Sequence, residues 1–71
     1  METNKSINIR VGLKIKEIRE DMKWTQEDLA FNSDLHRAYI GQIERGEKNM
    51  GLLNLEKIAN AFKIPISNFF E

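Results

Sequence analysis

The richest chemistry in this sequence lies in one central stretch, DLHRAYIGQIERGEKN, at positions 34–49. Its polar members offer imidazole, guanidinium, amide and ammonium hydrogen-bond donors. They are His36, Arg37, Gln42, Arg45 and Lys48. Apolar Leu35, Ile40 and Ile43 interleave with them at helical spacing. One side of this helix is therefore expected to be buried, while the other side presents donors to a partner.

The same residues argue against catalysis. The chain has one histidine, no cysteine and no cluster of carboxylates in an evident cleft. Nothing in the sequence is therefore placed to activate a nucleophile or to transfer a proton. A lone histidine also cannot supply the three or four protein ligands of a usual metal site. We expect no enzymatic activity, no cofactor and no metal.

Length and composition predict one small domain, residues 1–71. The N-terminal segment METNKSINIR lacks the apolar core of a signal peptide, and no stretch approaches the ~20 apolar residues of a membrane span. The absence of cysteine fits a reducing compartment. A cytoplasmic protein without a membrane partner is expected, and no pocket for a small-molecule effector is evident.

The formal net charge is zero, which counts against a purely electrostatic binder of nucleic acid. Distribution matters more than the sum. Acidic residues crowd positions 17–28, whereas the basic residues spread along the chain from Arg10 to Lys48. A basic face on a neutral molecule is compatible with this pattern. Composition alone therefore does not decide the partner.

Hydrophobic periodicity predicts a first helix from about Ile7, with residues 1–6 flexible. Its apolar stripe consists of Val11, Ile15, Ile18 and Met22. Gly12 lies inside this helix, where glycine costs ~1 kcal/mol relative to alanine. Close packing of a neighbouring element at Gly12 is the favoured explanation, and simple tolerance of the glycine is the alternative.

Two shorter helices are predicted next. Thr25 is placed to cap a second helix, and Asp28 is placed to complete a capping box. Turn-forming residues follow, among which Asp34 tolerates a left-handed backbone. The third helix is expected from about His36 and ends at Gly46, a residue suited to a left-handed cap.

The C-terminal third of the chain predicts two more helices. Gly51 is a candidate N-cap for a fourth helix. The apolar residues assigned to the core are Leu52, Leu55, Ile58, Ala59, Phe62, Ile64 and Phe69. Pro65 interrupts the pattern and opens a last short helix. The predicted fold class is therefore all-α, a compact domain of five helices.

Four segments carry a family pattern: TQEDLA, LHRAYIGQIERG, LLNLEKIANAF and IPISNFF. Together they resemble the helix-turn-helix domain shared by phage repressors and Cro proteins, from Gly12 to Phe70. The positions with the family's order and spacing are Gln26, Ala30, Ile40, Ile43, Glu44, Arg45 and Gly46. The motif itself covers about residues 25–45. Asp34 stands where the family commonly has glycine, and His36 stands where it commonly has serine or threonine.

Within that family, HRAYI and IERGEKN in so short a chain are most similar to the controller proteins of restriction–modification systems. These are small dimeric regulators that time the expression of the restriction enzyme. The resemblance implies a sequence-specific transcription regulator that binds a pseudo-palindromic operator and autoregulates its own operon. A phage-type repressor is one alternative. An antitoxin or protein-interaction module with secondary DNA binding is another.

In such proteins the second helix of the motif lies in the major groove of double-stranded DNA. The outward residues of the third helix match the family's DNA-facing positions. Those expected to read bases are Arg37, Ala38, Gln42, His36 and Gly41. Arg37 is the strongest candidate, since a guanidinium can bond both acceptors of guanine. A surface role for Gln42 and an idle His36 remain open.

The resemblance also implies contacts with the DNA backbone. The residues assigned to it are Gln26, Tyr39, Arg45, Lys48 and Asn49. For Tyr39, packing of its ring against the second helix is the alternative, and for Lys48 the alternative is an ordinary loop charge. Arg19 and Glu44 match positions that the family pairs as a partly buried ion pair between the first and third helices.

Three apolar residues remain near the C-terminus after the core is assigned: Leu53, Ile66 and Phe70. A contiguous exposed apolar patch on a small domain often marks an association site. These residues therefore predict a homodimer, which fits an operator with two half-sites. The alternative is that Phe70 folds back onto its own core.

Overall fold

The computed structural model describes residues 4–71, and side chains from residue 7 onward. Within that part the regular secondary structure is entirely helical, as the predicted all-α class requires. The elements are α1 (Asn4–Asp21), α2 (Gln26–Ser33), α3 (Arg37–Glu44), α4 (Leu52–Phe62) and a C-terminal 3₁₀ helix (Ile66–Phe70). No helix in the described part is both long and apolar enough to cross a membrane.

The prediction of five helices needs a correction at the C-terminus. The last element is a single 3₁₀ helix of five residues, in which the Asn68 N–H donates to the Pro65 carbonyl at 3.1 Å. So short a segment favours the tighter 3₁₀ turn over an α-helix. At the other end, α1 begins at Asn4, earlier than the predicted start near Ile7. The expected flexibility of residues 1–3 lies outside the described residues.

The core is built from the inner faces of all five helical elements. α3 packs against both α1 and α2, and α4 packs against α2. The buried apolar residues are Val11, Ile15, Leu29, Ala30, Ile40, Ile43, Leu55, Ile58, Ala59, Phe62 and Phe69. Aromatic packing closes one side of the core. The centroid of the Phe62 ring lies 5.7 Å from that of Trp24 and 6.3 Å from that of Phe69.

One residue of the predicted apolar stripe, Met22, and one residue assigned to the core, Leu52, are exposed. Met22 is 39% exposed, because α1 ends at Asp21 and Met22 lies in the turn beyond it. Leu52 is 77% exposed, because it is the first residue of α4 and precedes the turn of the helix that reaches the core. Ile18, Leu35 and Ile64 are partly buried against the core, in agreement with their predicted inward positions.

The connections between helices share one backbone device. Each α-helix is followed by a residue with positive φ: Lys23 (62°), Asp34 (61°), Gly46 (74°) and Lys63 (61°). The next residue then donates its N–H back to the carbonyl five positions earlier, as Leu35 does to Ala30 at 3.0 Å and Glu47 does to Gln42 at 2.9 Å. This Schellman arrangement satisfies carbonyls at each helix end. The predicted left-handed positions Asp34 and Gly46 are confirmed.

α1 and α3 approach each other closely at Gly12. A Cβ atom added there would lie 3.0 Å from the Glu44 carbonyl oxygen and would overlap the Ile43 carbonyl oxygen. Both obstacles are backbone atoms, which cannot move aside as a flexible side chain can. The predicted close packing at Gly12 is therefore confirmed, and it fixes the distance between α1 and α3.

We expect Gly12→Ala to lower the free energy of unfolding by about 1–3 kcal/mol, because the added methyl group forces α1 away from α3. This loss outweighs the gain of up to ~1 kcal/mol in helix propensity. Chemical denaturation measures the change. Gly51→Ala is the control for adding a methyl group without a clash, since a Cβ at Gly51 meets no atom within 4 Å and the change loses only the N-cap preference for glycine. A Gly12→Ala variant as stable as the wild type would contradict the close contact.

Candidate nucleic-acid interface

α3 presents a polar face beside the buried face that anchors it. Ile40 and Ile43 are fully buried, whereas His36, Arg37 and Ala38 at the start of the helix are exposed. His36 is the N-cap, with an extended backbone (φ −77°, ψ 144°), and its side chain makes no capping hydrogen bond. The N-terminal turn of α3 thus offers exposed side chains and backbone N–H groups to a partner.

Gly41 is the exception among the residues predicted to face outward. By helical phase it lies on the outer side of α3, yet it is buried. Glycine has no side chain of its own, and the side chains of Arg45 and Gln26 lie over it. A Cβ atom there would lie 3.2 Å from Arg45 Nη1 and 3.8 Å from Gln26 Oε1. Gln42 is half-buried. The roles of both residues in base readout stay predictions.

The start of α2 is fixed by the predicted capping box, which is confirmed. Thr25 Oγ1 accepts from the Asp28 N–H at 3.0 Å, and Asp28 Oδ2 accepts from the Thr25 N–H at 2.8 Å. The box sets the direction in which α2 begins, and it places Gln26 in the first turn against α3. Gln26 Nε2 donates to Glu44 Oε1 at 3.0 Å, and Gln26 Oε1 accepts from Arg37 Nη1 at 3.4 Å.

The structure brings Arg19 and Glu44 together in a buried ion pair. Arg19 Nε donates to Glu44 Oε2 at 2.6 Å, and Arg19 Nη2 donates to Glu44 Oε1 at 3.1 Å. A third donor, Nη1, reaches the Trp24 carbonyl at 2.8 Å. The hydrogen bond to Glu44 raises the pKa of the Arg19 guanidinium, burial opposes that change, and the nearby Glu44 and Glu20 charges raise it further. The negative charge of Glu44, beneath the polar face of α3, is therefore balanced by the positive charge of Arg19.

Tyr39 and Arg45, both predicted to contact the DNA backbone, have hydrogen-bond partners within the chain. The Tyr39 hydroxyl accepts from Asn54 Nδ2 at 2.9 Å, and its ring is partly buried against the core. Arg45 forms two hydrogen bonds to Glu47, at 2.9 and 3.1 Å. These bonds raise the pKa of Arg45 and lower the pKa of Glu47, although both side chains are exposed.

The loop after α3 carries Lys48 and Asn49, which were also predicted to contact the DNA backbone. Lys48 is exposed. Asn49 Oδ1 accepts from Asn8 Nδ2 at 2.7 Å, so α1 holds this loop in place. Residues 8 and 49 are 41 positions apart, and no sequence pattern indicated this contact. The Arg45 to Glu47 pair was within reach of sequence reasoning, because it joins opposite charges two residues apart.

The apolar residues predicted to form a dimer interface have different environments. Leu53 is 67% exposed and Phe70 is 51% exposed, whereas Ile66 is partly buried against the core. Phe70 lines a groove beside α1 together with Leu13. Phe31 on α2 is another exposed apolar residue, at 86%, and the sequence analysis did not single it out as one.

Comparison with known proteins agrees with this geometry. A helix-turn-helix family model matches residues 15–69. The chain is 45% identical to the control protein C.BamHI of Bacillus amyloliquefaciens over 60 residues, which cover 83% of this chain and 74% of that protein. The chain belongs to the helix-turn-helix family, among the restriction–modification controller proteins.

Two solved structures of controller proteins are similar to it. The controller protein C.AhdI from Aeromonas hydrophila has a TM-score of 0.87 and 38% identity, over 89% of this chain and 96% of that chain. C.Esp1396I bound to a 25 base pair operator site has a TM-score of 0.81 and 39% identity, over 90% of this chain and 84% of that chain.

We expect Arg19→Ala to lower the free energy of unfolding by about 3–5 kcal/mol, because it leaves the Glu44 carboxylate buried without its cation. Thermal and chemical denaturation provide the measurement. Lys16→Ala is the control, since Lys16 is an exposed position on the same helix. A melting temperature that is the same for wild type and Arg19→Ala would show that the ion pair does not hold α1 to α3.

Proposed function

We propose that this protein is a sequence-specific, DNA-binding transcription regulator, the controller of a restriction–modification system. It binds a pseudo-palindromic operator as a homodimer and regulates its own operon. The observation that supports this most is the exposed N-terminal turn of α3, displayed on a fold similar to a controller protein bound to operator DNA. It acts in the cytoplasm and without catalysis, as regulators of this family do.

Base readout falls to the exposed residues at the start of α3. Arg37 donates to a guanine edge, because its guanidinium matches the two acceptors in the major groove. Ala38 contacts a thymine methyl group. Gln42 and His36 contribute where the groove brings bases within their reach, and Gly41 leaves room for the side chains that cover it.

Contacts with phosphate hold the domain on the duplex without reading its sequence. Lys48 and Asn49 in the loop after α3 supply donors, and Gln26 does so at the start of α2. Arg45 exchanges Glu47 for a phosphate on binding. That exchange costs little, because an ion pair between exposed side chains is weak in water.

Dimer formation supplies the second half-site. In the dimer each protomer contributes one α3, the recognition helix that enters the major groove. Two such helices at a spacing of about 34 Å fit successive major grooves on one side of the duplex. Leu53 and Phe70 leave large apolar surfaces exposed, and Ile66 is partly buried against the core. A two-fold contact through these residues buries that surface.

The decisive experiment is a mobility shift with the promoter region upstream of the protein's own gene. We expect a retarded dimer complex on this fragment at concentrations that leave a scrambled duplex free. The neighbouring genes provide a second test. Genes for a methyltransferase and an endonuclease beside this one would support the controller assignment, whereas prophage genes would support a phage-type repressor. Equal affinity for promoter and scrambled duplexes would overturn the proposal and favour a protein-interaction module.

Reading and positioning residues differ in their response to DNA sequence and salt. We expect Arg37→Ala to cost about 1–3 kcal/mol on the operator and to relax preference at one base pair of each half-site. Lys48→Ala weakens binding to operator and scrambled duplexes about equally, and it reduces the salt dependence by about one charge per half-site. Titrations at several salt concentrations measure both effects. An Arg37→Ala protein with full base preference would refute direct readout.

We expect the wild-type protein to sediment as a dimer at micromolar concentration. Phe70→Ala shifts it toward monomer and weakens operator binding, because specific affinity needs two half-sites. The monomer stays folded, since half of the Phe70 surface lies outside the core. Phe31→Ala is a control of matched chemistry on α2. A monomeric wild type that Phe70→Ala leaves unchanged would contradict this interface.

A further inference from the structure

We infer that Asn8 on α1 is a positioning residue for the contact that the loop after α3 makes with the DNA backbone. The Asn8 side chain is bonded to this loop, residues 45–50, at Asn49. The inference rests on the proposed function, in which Lys48 and Asn49 donate to phosphates, and it deepens it. It brings α1 into the DNA-binding machinery, to which no residue of that helix has been assigned.

The loop is anchored at both ends and has little to hold its middle. Near its start, the Glu47 N–H donates back into α3 at 2.9 Å, and at its end Met50 is partly buried against the core. Lys48 and Asn49 lie exposed between these anchors. Among the described residues, Asn8 supplies the one hydrogen bond that reaches either of them. Segments with so few contacts open at little cost, so the position of these two residues depends on α1.

The backbone holds α1 close enough for this bond. A Cβ atom added at Gly46 would lie 2.8 Å from Ile9 Cα and 3.0 Å from the Ile9 nitrogen. The first half of α1 therefore touches the loop through backbone atoms, and this contact cannot be relieved by rotation of a side chain. Asn8 precedes Ile9 in the chain and reaches the loop again at Asn49. Two separate contacts brace the loop against the same turn of α1.

The polarity of the bond suits a contact with phosphate. Asn8 Nδ2 donates to Asn49 Oδ1 at 2.7 Å, so the bond uses the acceptor of the Asn49 amide and neither of its two donors. Phosphate oxygens only accept, and an amide whose oxygen is turned to Asn8 meets them with its NH₂ group. A side chain that is ordered before binding also loses less entropy when the contact forms.

Asn8→Leu tests the inference, because it keeps the size and branching of the side chain and removes its hydrogen bond. We expect the affinities for operator and scrambled duplexes to fall by the same factor, about three- to tenfold for the dimer, with base preference intact. In the Asn49→Ala background the same change has no further effect. Asn32→Leu is the control on α2, since the Asn32 amide bonds the Asp28 carbonyl of its own helix. Melting curves establish that each variant is folded, and Asn8→Ala repeats the test with a strong helix former.

A second measurement needs no DNA. NMR relaxation of the Lys48 and Asn49 backbone N–H groups in the free protein reports their mobility on the picosecond to nanosecond scale. We expect higher mobility in Asn8→Leu than in wild type and Asn32→Leu. Unchanged mobility of the loop, unchanged affinity for both duplexes, or a loss confined to the operator overturns the inference. A wild type that binds operator and scrambled duplexes equally overturns the proposed function instead, and the effect of Asn8→Leu on either duplex still decides the inference.

Discussion

The buried ion pair of Arg19 and Glu44 is the interaction on which the rest of the structure depends. It joins α1 to the last residue of α3 with two hydrogen bonds, and a third bond from Arg19 ties down the turn before α2. Buried charges are costly unless they are paired and fully hydrogen-bonded. In the described residues no buried side-chain nitrogen or oxygen lacks a partner, so the pair satisfies this condition.

The ion pair also explains how a neutral chain can present a basic face. Eleven acidic and eleven basic residues give no net charge. Glu44 is withdrawn from the surface by Arg19, however, and Glu47 lies against Arg45. The exposed start of α3 is left with His36 and Arg37 and with no carboxylate of its own. The local distribution of charge, rather than its sum, therefore decides which partner this surface attracts.

Backbone geometry sets the position of the recognition helix as strongly as side-chain chemistry does. Gly12 lets α1 touch the end of α3, and Gly46, with φ of 74°, lies against Ile9 where a Cβ would be 2.6 Å from Cγ1. Asp34 makes the left-handed turn between α2 and α3 without glycine. An L-residue in this region costs about 1–2 kcal/mol, which the packed helices on either side must offset.

The sequence alone determined the features of this protein that depend on interactions between residues close together in the chain. The capping box at Thr25, the left-handed turns at Asp34 and Gly46, and the inward face of α3 depend on residues within a few positions of one another, so pattern and propensity predict them. The family pattern gave the helix-turn-helix fold. Helix ends and burial were less certain, as the exposed Met22 and Leu52 show.

Only the tertiary structure decided which distant side chains meet. Asn8 with Asn49, Tyr39 with Asn54, and Gln26 with both Glu44 and Arg37 are contacts between separate elements. Their formation depends on the packing distances and rotations of whole helices, which no local pattern encodes. The cover over Gly41 has the same origin, because helical phase gives the direction in which a residue faces but not which neighbouring side chains lie across it.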